Sequence, residues 1–190
     1  MRITPHPNGC LTLSLHRPKA LNALNLTMVR LLTGGLRSVG TGPTDPGHKC
    51  VLVYGEGDKA FCAGGDIRAL AFPEHPSEPA QFFREEYQLN HLVGACPSAY
   101  VAVLRGITMG GGVGISVHGK VRVCTDNTMF AMPETGIGLF PDVGGSWFLP
   151  RLPGRVGMFL ALTGQSLGAV SGRRHSELRD AGRWLGSSDG

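Results

Sequence analysis

Three consecutive glycines, Gly110, Gly111 and Gly112, constrain the fold of this 190-residue chain more than any other feature. They follow an apolar run at Ala99–Leu104 and precede a mostly apolar one at residues 113–117. Glycine packs no side chain and loses more backbone entropy on folding than other residues do, so such a run indicates that another group approaches the main chain closely. If the run opens a helix, its free amide hydrogens and the helix dipole favour a negatively charged group there.

A second glycine stretch, FCAGGD at residues 61–66, has the same character and also follows an apolar run, at residues 50–54. Backbone amides of Gly65 and Gly111 that converged on one carbonyl oxygen would form an oxyanion hole. The alternative is that residues 110–112 only allow a helix and a strand to pack tightly. From the pattern alone both interpretations stay open.

The apolar pattern predicts an α/β fold. Residues 10–15 alternate with period two, and short apolar runs recur further on, each typical of a buried strand. Two amphipathic stretches predict helices at residues 25–39, capped by Asn25, and at residues 77–95, capped by Ser77. Strands that alternate with helices predict a mostly parallel sheet, with ligands at the carboxyl ends of its strands. The predicted strands are residues 10–15, 50–54, 99–104, 121–125 and a short one at 129–132.

One domain is the expectation for a chain of this length. Residues 1–164 carry the alternating pattern and are predicted to form the core domain. Residues 165–190 are rich in Gly, Ser and Arg and show no apolar period, so they are predicted to be a poorly ordered tail.

Composition argues against several classes of function. The formal net charge is only +4, and the basic residues are scattered without interleaved aromatics, so nucleic-acid binding is not expected. No apolar stretch approaches the ~18 residues of a membrane span. Five cysteines without a CxxC pair, and seven histidines without an HExxH motif, give no support for a metal site. Neither a P-loop nor a GxSxG motif is present in a fitting context.

Two acids, Glu134 and Asp142, lie in a segment of apolar and glycine residues at positions 132–145. A carboxylate in such surroundings has a raised pKa unless it finds hydrogen-bond donors, and this suits a general base, an acid or a nucleophile. The alternatives are an ordinary loop acid for Glu134 and a helix cap near Val143 for Asp142. Glu86, on the second predicted helix, is expected from the pattern alone to face solvent.

Three motifs together resemble the crotonase (enoyl-CoA hydratase/isomerase) superfamily: FCAGGDI at residues 61–67, GITMGGG at 106–112 and MPET at 132–135. Their order and spacing match over roughly residues 10–164. The resemblance implies a crotonase-like core of repeated ββα units with a mostly parallel sheet and flanking helices. Within the superfamily, residues 82–87, 110–119, 130–134 and 138–145 are similar to the branch that hydrolyses short 3-hydroxyacyl-CoA thioesters.

That branch implies a mitochondrial enzyme of valine breakdown that converts 3-hydroxyisobutyryl-CoA to the free acid and coenzyme A, without a metal or redox cofactor. By the resemblance, Gly65 and Gly111 correspond to the oxyanion-hole amides and Glu134 to the catalytic glutamate. Asp142 corresponds to a second catalytic acid and Glu86 to an acid that contacts the substrate. Whether Glu134 attacks the carbonyl or activates water stays open.

The chain departs from the superfamily in two places. Hydratases carry a further glutamate where this chain has Gly114, which counts against hydration or isomerisation of enoyl-CoA, the alternative activity. The superfamily also continues beyond residue 164 with a helical region that covers the site and supports assembly, whereas residues 165–190 do not match it. We therefore expect a truncated or altered C-terminal region and a weakened homo-oligomer. A further alternative is an inactive fragment that binds acyl-CoA or associates with full-length subunits.

Overall fold

The computed structural model describes residues 1–40 and 48–168, which form two β-sheets with flanking helices. The strands are β1 (Arg2–Pro5), β2 (Cys10–Leu15), β3 (Cys50–Gly55), β4 (Ala60–Cys62), β5 (Ala99–Leu104), β6 (Ile107–Met109), β7 (Val121–Cys124), β8 (Met129–Ala131) and β9 (Ser166–Gly168). The α-helices are α1 (Leu26–Arg37), α2 (Ile67–Ala71), α3 (Glu78–Gly94), α4 (Gly111–Val117), α5 (Gly145–Phe148) and α6 (Val156–Thr163).

The predicted α/β fold with mostly parallel strands is confirmed, and it is divided between two sheets. The larger sheet has the order β1-β2-β3-β5-β7, and the smaller has the order β4-β6-β8-β9. In each sheet one outer strand, β1 or β9, is antiparallel and the remaining neighbours are parallel. The successive pairs β3–β4, β5–β6 and β7–β8 each contribute one strand to either sheet, which is the repeated unit that the resemblance implies.

Helices α1 and α3 begin where the sequence predicts, although only α1 has the predicted cap. The side chain of Asn25 accepts a 3.0 Å hydrogen bond from the amide of Met28 and so caps α1. Ser77 precedes α3, but its side chain makes no capping hydrogen bond. The side chain of Asp66 caps the short helix α2 by accepting a 3.2 Å hydrogen bond from the amide of Ala69.

The smaller sheet contains strands that the apolar pattern does not reveal. Strands β4 and β6 have three residues each, too few for a period to show in the sequence. These two strands, and not the longer β3 and β5, lead directly into the two glycine stretches. The glycine stretches therefore lie at the carboxyl ends of neighbouring strands of the same small sheet.

Two apolar clusters hold these layers together. The larger cluster joins the five-stranded sheet to α1 and α3 and includes Leu13, Leu32, Val53 and Leu89. The second joins α4 to β8 and the segment that follows it, and includes Val113, Met132, Val143, Phe148 and Leu160. The glycine stretches and the acidic segment lie where α3, α4 and this second cluster meet.

The predicted poorly ordered tail is wrong at its start. Ser166–Gly168 forms β9, which pairs with β8 through partners such as Leu167 and Phe130. Three residues that pair with an existing sheet edge need no apolar period of their own, which explains why the sequence pattern does not predict this strand. Residues 169–190, the rest of the predicted tail, lie outside the described residues. No helix in the described ranges combines the length and the apolar character that a bilayer crossing requires.

Candidate active site

The two glycine stretches meet at the carboxyl ends of β4 and β6. Cys62 and Thr108 are partners in the register of these strands, so the chain leaves both strands side by side. A side chain on Gly64 would lie 3.6 Å from the amide nitrogen of Gly111 and 3.8 Å from the Cα of Gly110. The two turns are therefore in direct contact.

The amides of both turns are free to bind a ligand. Leu24 forms a parallel bridge with Gly65: its amide donates to the carbonyl of Gly64, and its carbonyl accepts from the amide of Asp66, both at 2.8 Å. Because the central residue of a parallel bridge does not use its own amide towards its partner, the N–H of Gly65 points away from Leu24. Within residues 1–40 and 48–168, neither Gly65 nor Gly111 donates a hydrogen bond to a protein acceptor.

Glu134 lies over the start of the glycine run. Gly110 has φ +49°, which L side chains rarely adopt, and a Cβ there would be 2.9 Å from Oε1 of Glu134. Glu134 follows β8, the neighbour of β6, and only 6 % of its surface is exposed. Its Oε2 has no hydrogen-bond partner among the described residues. Burial, together with the negative charge of Asp142, raises the pKa of Glu134 to about 7.

Asp142 is bound by a tyrosine and does not cap a helix with its side chain. Its Oδ2 accepts a 2.7 Å hydrogen bond from the hydroxyl of Tyr87 on α3. The capping position of α5 belongs to Gly144. Burial raises the pKa of Asp142, and the hydrogen bond from Tyr87 opposes that rise. The next residue, Val143, has φ +41°, an unusual conformation for a β-branched residue that indicates local backbone strain beside the acid.

Glu86 is buried, contrary to the solvent-facing position that the helix pattern alone predicts. Only 2 % of its surface is exposed, and its Oε1 lies where a side chain on Gly111 would begin. Burial, reinforced by the charges of Asp142 and Glu134, raises the pKa of Glu86 to about 8. The neighbouring Glu85 behaves as the pattern predicts, since it forms an ion pair with Arg30 at 2.9 Å near the surface.

The five residues predicted for the site, Gly65, Gly111, Glu86, Glu134 and Asp142, line one cavity of about 90 Å³. Its remaining wall is mostly apolar, with Leu70, Phe82 and Phe83 among the lining residues. A larger open groove of about 700 Å³ lies between α1 and α3 and is lined by none of the five. The acids and the amides share the small cavity, so any chemistry that combines them takes place there.

Two further residues belong to this region and were not predicted. Tyr87 binds Asp142, and Asn90 is buried one helical turn after Glu86. The buried face of α3 carries Phe82, Glu86, Leu89, Asn90 and Val93, so two polar residues occupy positions of helical spacing within an apolar face. The four-residue spacing between Glu86 and Asn90 is the feature of the sequence that could have predicted that Asn90 lies on the buried face.

The structure also shows why a glutamate does not fit at residue 114. A Cβ on Gly114 would be 2.7 Å from the Cβ of Val143 and 2.8 Å from Oδ1 of Asn90. These contacts are shorter than real Cβ contacts, so a longer side chain would require both neighbours to move. No group of three or more His, Cys, Asp or Glu residues in the described part of the chain could hold a metal ion.

A sequence model of the enoyl-CoA hydratase/isomerase family matches residues 10–174 of this chain. Three relatives, all named mitochondrial 3-hydroxyisobutyryl-CoA hydrolase, show similar identity. The protein from Xenopus tropicalis is 57 % identical over 159 residues, that from Homo sapiens 55 % over 159, and that from Dictyostelium discoideum 54 % over 167. These alignments cover 82–83 % of this chain but only 40–43 % of the relatives, so the chain spans less than half of their length.

Solved structures share the fold. A carnitinyl-CoA dehydratase from Mycobacterium thermoresistibile superimposes with a TM-score of 0.81 and 38 % identity, over 96 % of this chain and 52 % of that one. An enoyl-CoA hydratase from Rhodobacter sphaeroides gives a TM-score of 0.77 and 40 % identity, over 88 % of this chain and 49 % of that one. The fold, the two glycine turns and the family match agree: the chain belongs to the enoyl-CoA hydratase/isomerase family, the crotonase superfamily.

Proposed function

We propose that this chain hydrolyses 3-hydroxyisobutyryl-CoA, or a similarly short 3-hydroxyacyl-CoA thioester, to the free acid and coenzyme A. The observation that carries the proposal is the cavity in which the Glu134 carboxylate lies beside the free amides of Gly65 and Gly111. The reaction named for relatives that are 54–57 % identical supports the same substrate class.

In the proposed reaction the amides of Gly65 and Gly111 bind the thioester oxygen and stabilise the negative charge that develops on it. Glu134 removes a proton from a water molecule, and the water oxygen forms a bond to the thioester carbon. The C–S bond then breaks, and Glu134 returns the proton to the departing thiolate. The balance is one thioester and one water consumed, one carboxylic acid and one thiol formed. A pKa of about 7 suits Glu134 to accept and return a proton near neutral pH.

The other acids have supporting roles in this proposal. Asp142 holds negative charge close to Glu134 and is fixed in place by Tyr87, so it raises the basicity of Glu134 and orients it. Glu86, whose Oε1 has no hydrogen-bond partner among the described residues, is placed to bind the substrate hydroxyl. The apolar wall of Phe82, Phe83 and Leu70 suits a short, branched acyl group.

Several wider expectations belong to the proposal. The reaction as written needs only the thioester and water, so no metal or redox cofactor takes part, and coenzyme A is part of the substrate. We also propose a role in valine breakdown, which the superfamily resemblance implies, and a mitochondrial location, which the names of the relatives support. A homo-oligomer is expected because large apolar side chains such as Phe140 and Leu162 are 69 % and 70 % exposed. Nucleic acid and membranes are not expected partners.

The test is thiol release from 3-hydroxyisobutyryl-CoA by the purified chain, with crotonyl-CoA hydration measured in parallel. The proposal predicts steady thiol release and no hydration, since Gly114 leaves no room for a second glutamate. Hydration without thiol release would establish the alternative activity. Saturable binding of acyl-CoA with neither reaction would show an inactive acyl-CoA-binding chain.

A further inference from the structure

The turn that follows Asp142 is held in an unusual backbone conformation. Val143 has φ +41° and Gly144 has φ +84°, so two consecutive residues lie in the left-handed region. For a β-branched residue such as Val143 that region is strongly disfavoured, and such a conformation persists only where the surrounding structure fixes it. A contact of this turn must therefore offset the strain, and the position of Asp142 depends on that contact.

His118, the residue that follows α4, makes this contact. Its Nε2 lies 2.8 Å from the carbonyl oxygen of Val143. Because a carbonyl oxygen can only accept, Nε2 carries the hydrogen and donates it. The ring packs edge-on against Phe148, with the ring centroids 6.2 Å apart. Burial lowers the pKa of His118, so the ring donates as a neutral imidazole near neutral pH.

The contacts around His118 leave the turn little freedom. A side chain on Gly144 would overlap the imidazole ring, so the ring lies directly against the main chain there. On α4 itself, a Cβ on Gly114 would be 2.7 Å from the Cβ of Val143, so the glycine leaves the space that the valine side chain occupies. Helix α4 and the residue that follows it therefore hold Val143 at two points, by packing at Gly114 and by the hydrogen bond from His118.

The same helix begins at the proposed oxyanion hole. Gly111 is the first residue of α4, and His118 follows its last residue. A helix of seven residues is a short rigid element ~10 Å long, so a contact at its end fixes the turn relative to the amide at its start. Asp142 lines the acyl cavity, and His118 does not. His118 therefore acts on the reaction only through the position of the turn.

We propose that His118 is a positioning residue that fixes the Asp142 turn relative to the Gly111 amide, so that the Asp142 carboxylate stays beside Glu134. The inference rests on the proposed function, in which burial and the nearby charge of Asp142 raise the pKa of Glu134. Tyr87 holds the Asp142 carboxylate from α3 through a 2.7 Å hydrogen bond, and His118 holds the main chain of the next residue. Without His118, the bond to the side chain alone would keep the turn in place.

The sharpest test compares His118→Gln with His118→Met. The two new side chains have the same length, and only glutamine places an N–H donor where the imidazole Nε2 lies. We expect His118→Met to lower kcat for thiol release by at least ~10-fold with KM changed less than about 3-fold, because a turn displaced by ~1 Å misaligns the acid. His118→Gln should keep kcat within about 3-fold of the unchanged chain. His118→Asn, whose shorter amide does not reach the Val143 carbonyl, should resemble His118→Met.

The pH profile separates positioning from a merely structural role. The acyl cavity is lined by three carboxyl groups, those of Glu86, Glu134 and Asp142, and the midpoint of kcat/KM belongs to them together. If the turn moves away, the charge of Asp142 raises the pKa of Glu134 less, so the midpoint in His118→Met should shift to lower pH. A loss of folded protein alone would lower the activity without moving this midpoint.

Equal kcat values for His118→Gln and His118→Met, or an unmoved midpoint in a folded His118→Met, would overturn the inference and leave the proposed function intact. If His118→Met does not fold, His118→Asn replaces it in both comparisons. If neither folds, His118→Gln decides: a folded variant that keeps kcat supports the inference, and one that loses ~10-fold or more overturns it. Absence of thiol release by the unchanged chain would instead refute the proposed function, and the role of His118 with it.

Discussion

The Oε1 atom of Glu86 lies where a side chain on Gly111 would begin. One acid from α3 and one glycine from the first turn of α4 thus meet at van der Waals distance beside the acyl cavity. Two glycines of the run pack closely against different neighbours. Gly111 leaves space for the Glu86 carboxylate, and Gly112 lies against the main chain of Cys62, where the helix packs on the strand. Close packing, one of the two interpretations that the sequence leaves open, therefore applies at Gly112, and the oxyanion hole at Gly111 stays a proposal.

Gly111→Ala should destabilise the chain, because the new methyl group overlaps the Glu86 carboxylate. We expect a loss of ~1–3 kcal/mol in the free energy of unfolding, the usual range for an overpacked site, and a loss of thiol release. Urea denaturation measures the first. Gly34→Ala is the matched control, since a Cβ at Gly34 on α1 meets nothing within 4 Å and should stabilise by ~0.4–1 kcal/mol. Equal effects of the two changes would contradict the packing described for Gly111.

Glu134→Gln should lower kcat for thiol release by at least ~10²-fold, the scale of a positioned general base. The amide keeps the shape of the carboxylate but cannot accept the proton from water. Steady-state kinetics with 3-hydroxyisobutyryl-CoA measure the effect. The exposed Glu74 on the surface offers the same chemical change as a control, and Glu74→Gln should leave kcat unaltered. Near-normal turnover by Glu134→Gln would remove Glu134 from its proposed role.

The pH dependence of kcat/KM should rise through about pH 7, because the pKa of Glu134 is about 7 and only its ionised form accepts a proton. The charge of Asp142 contributes to that raised pKa. Asp142→Asn should therefore move the midpoint of the remaining activity to lower pH. The midpoint belongs to the coupled acids and not to one residue in isolation. A profile that is flat between about pH 5 and 8 would be inconsistent with this base.

Stability should fall as pH rises, because burial raises the pKa of Glu86 to about 8 from an ordinary value of 4.5. The folded chain binds this proton more tightly than the unfolded chain does. The tighter proton binding by Glu86 therefore stabilises the folded chain fully below pH 4.5, and this stabilisation is lost as pH rises through about 8. Glu86→Gln removes this dependence, so at about pH 9 the variant should be more stable than the unchanged chain by ~1–3 kcal/mol. Urea denaturation of both proteins at low and at high pH measures the difference in their free energies of unfolding. If Glu86→Gln were less stable than the unchanged chain at high pH, position 86 would not hold a buried acid.

Tyr87→Phe removes the 2.7 Å hydrogen bond to Asp142 and leaves the ring in place. Without this donor the pKa of Asp142 rises further, since the hydrogen bond now opposes the effect of burial. We expect kcat to fall by ~3–10-fold, with a net cost in stability of about 1 kcal/mol, the usual net contribution of one hydrogen bond. Kinetics and thermal unfolding measured on the same preparation separate the two effects. An unchanged kcat would show that Asp142 does not depend on Tyr87 for its position.

The longer elements of the fold could be predicted from local pattern because each carries a full period of apolar residues. Cys10–Leu15, α1 and α3 are examples. Strand β8, although only three residues long, was predicted from its apolar run at residues 129–132. Strands β4, β6 and β9 were not predicted, because their pairing with neighbours distant in sequence defines them and their own residues show no apolar period. Only the three-dimensional pairing reveals that the two glycine turns follow adjacent strands of one small sheet.

The candidate site was partly predictable for a similar reason. Glu134 and Asp142 stand out because apolar and glycine residues surround them in the sequence itself. Glu86 owed its prediction to the family resemblance, because a charged residue on a helix ordinarily faces solvent. Tyr87 was not predicted, since its role depends on Asp142, 55 residues away along the chain. The catalytic roles of Glu134 and Asp142 remain predictions that the kinetic experiments above test.

The most direct measurement is the carbonyl stretch of a bound thioester in the Glu134→Gln variant. Isotope-edited infrared difference spectra with 3-hydroxyisobutyryl-CoA labelled with ¹³C at the thioester carbonyl isolate this one bond. If the amides of Gly65 and Gly111 bind the oxygen together, the stretch moves to lower wavenumber on binding, because two N–H donors polarise the C=O bond. A labelled thioester that binds with its carbonyl stretch at the value found in water would contradict the account.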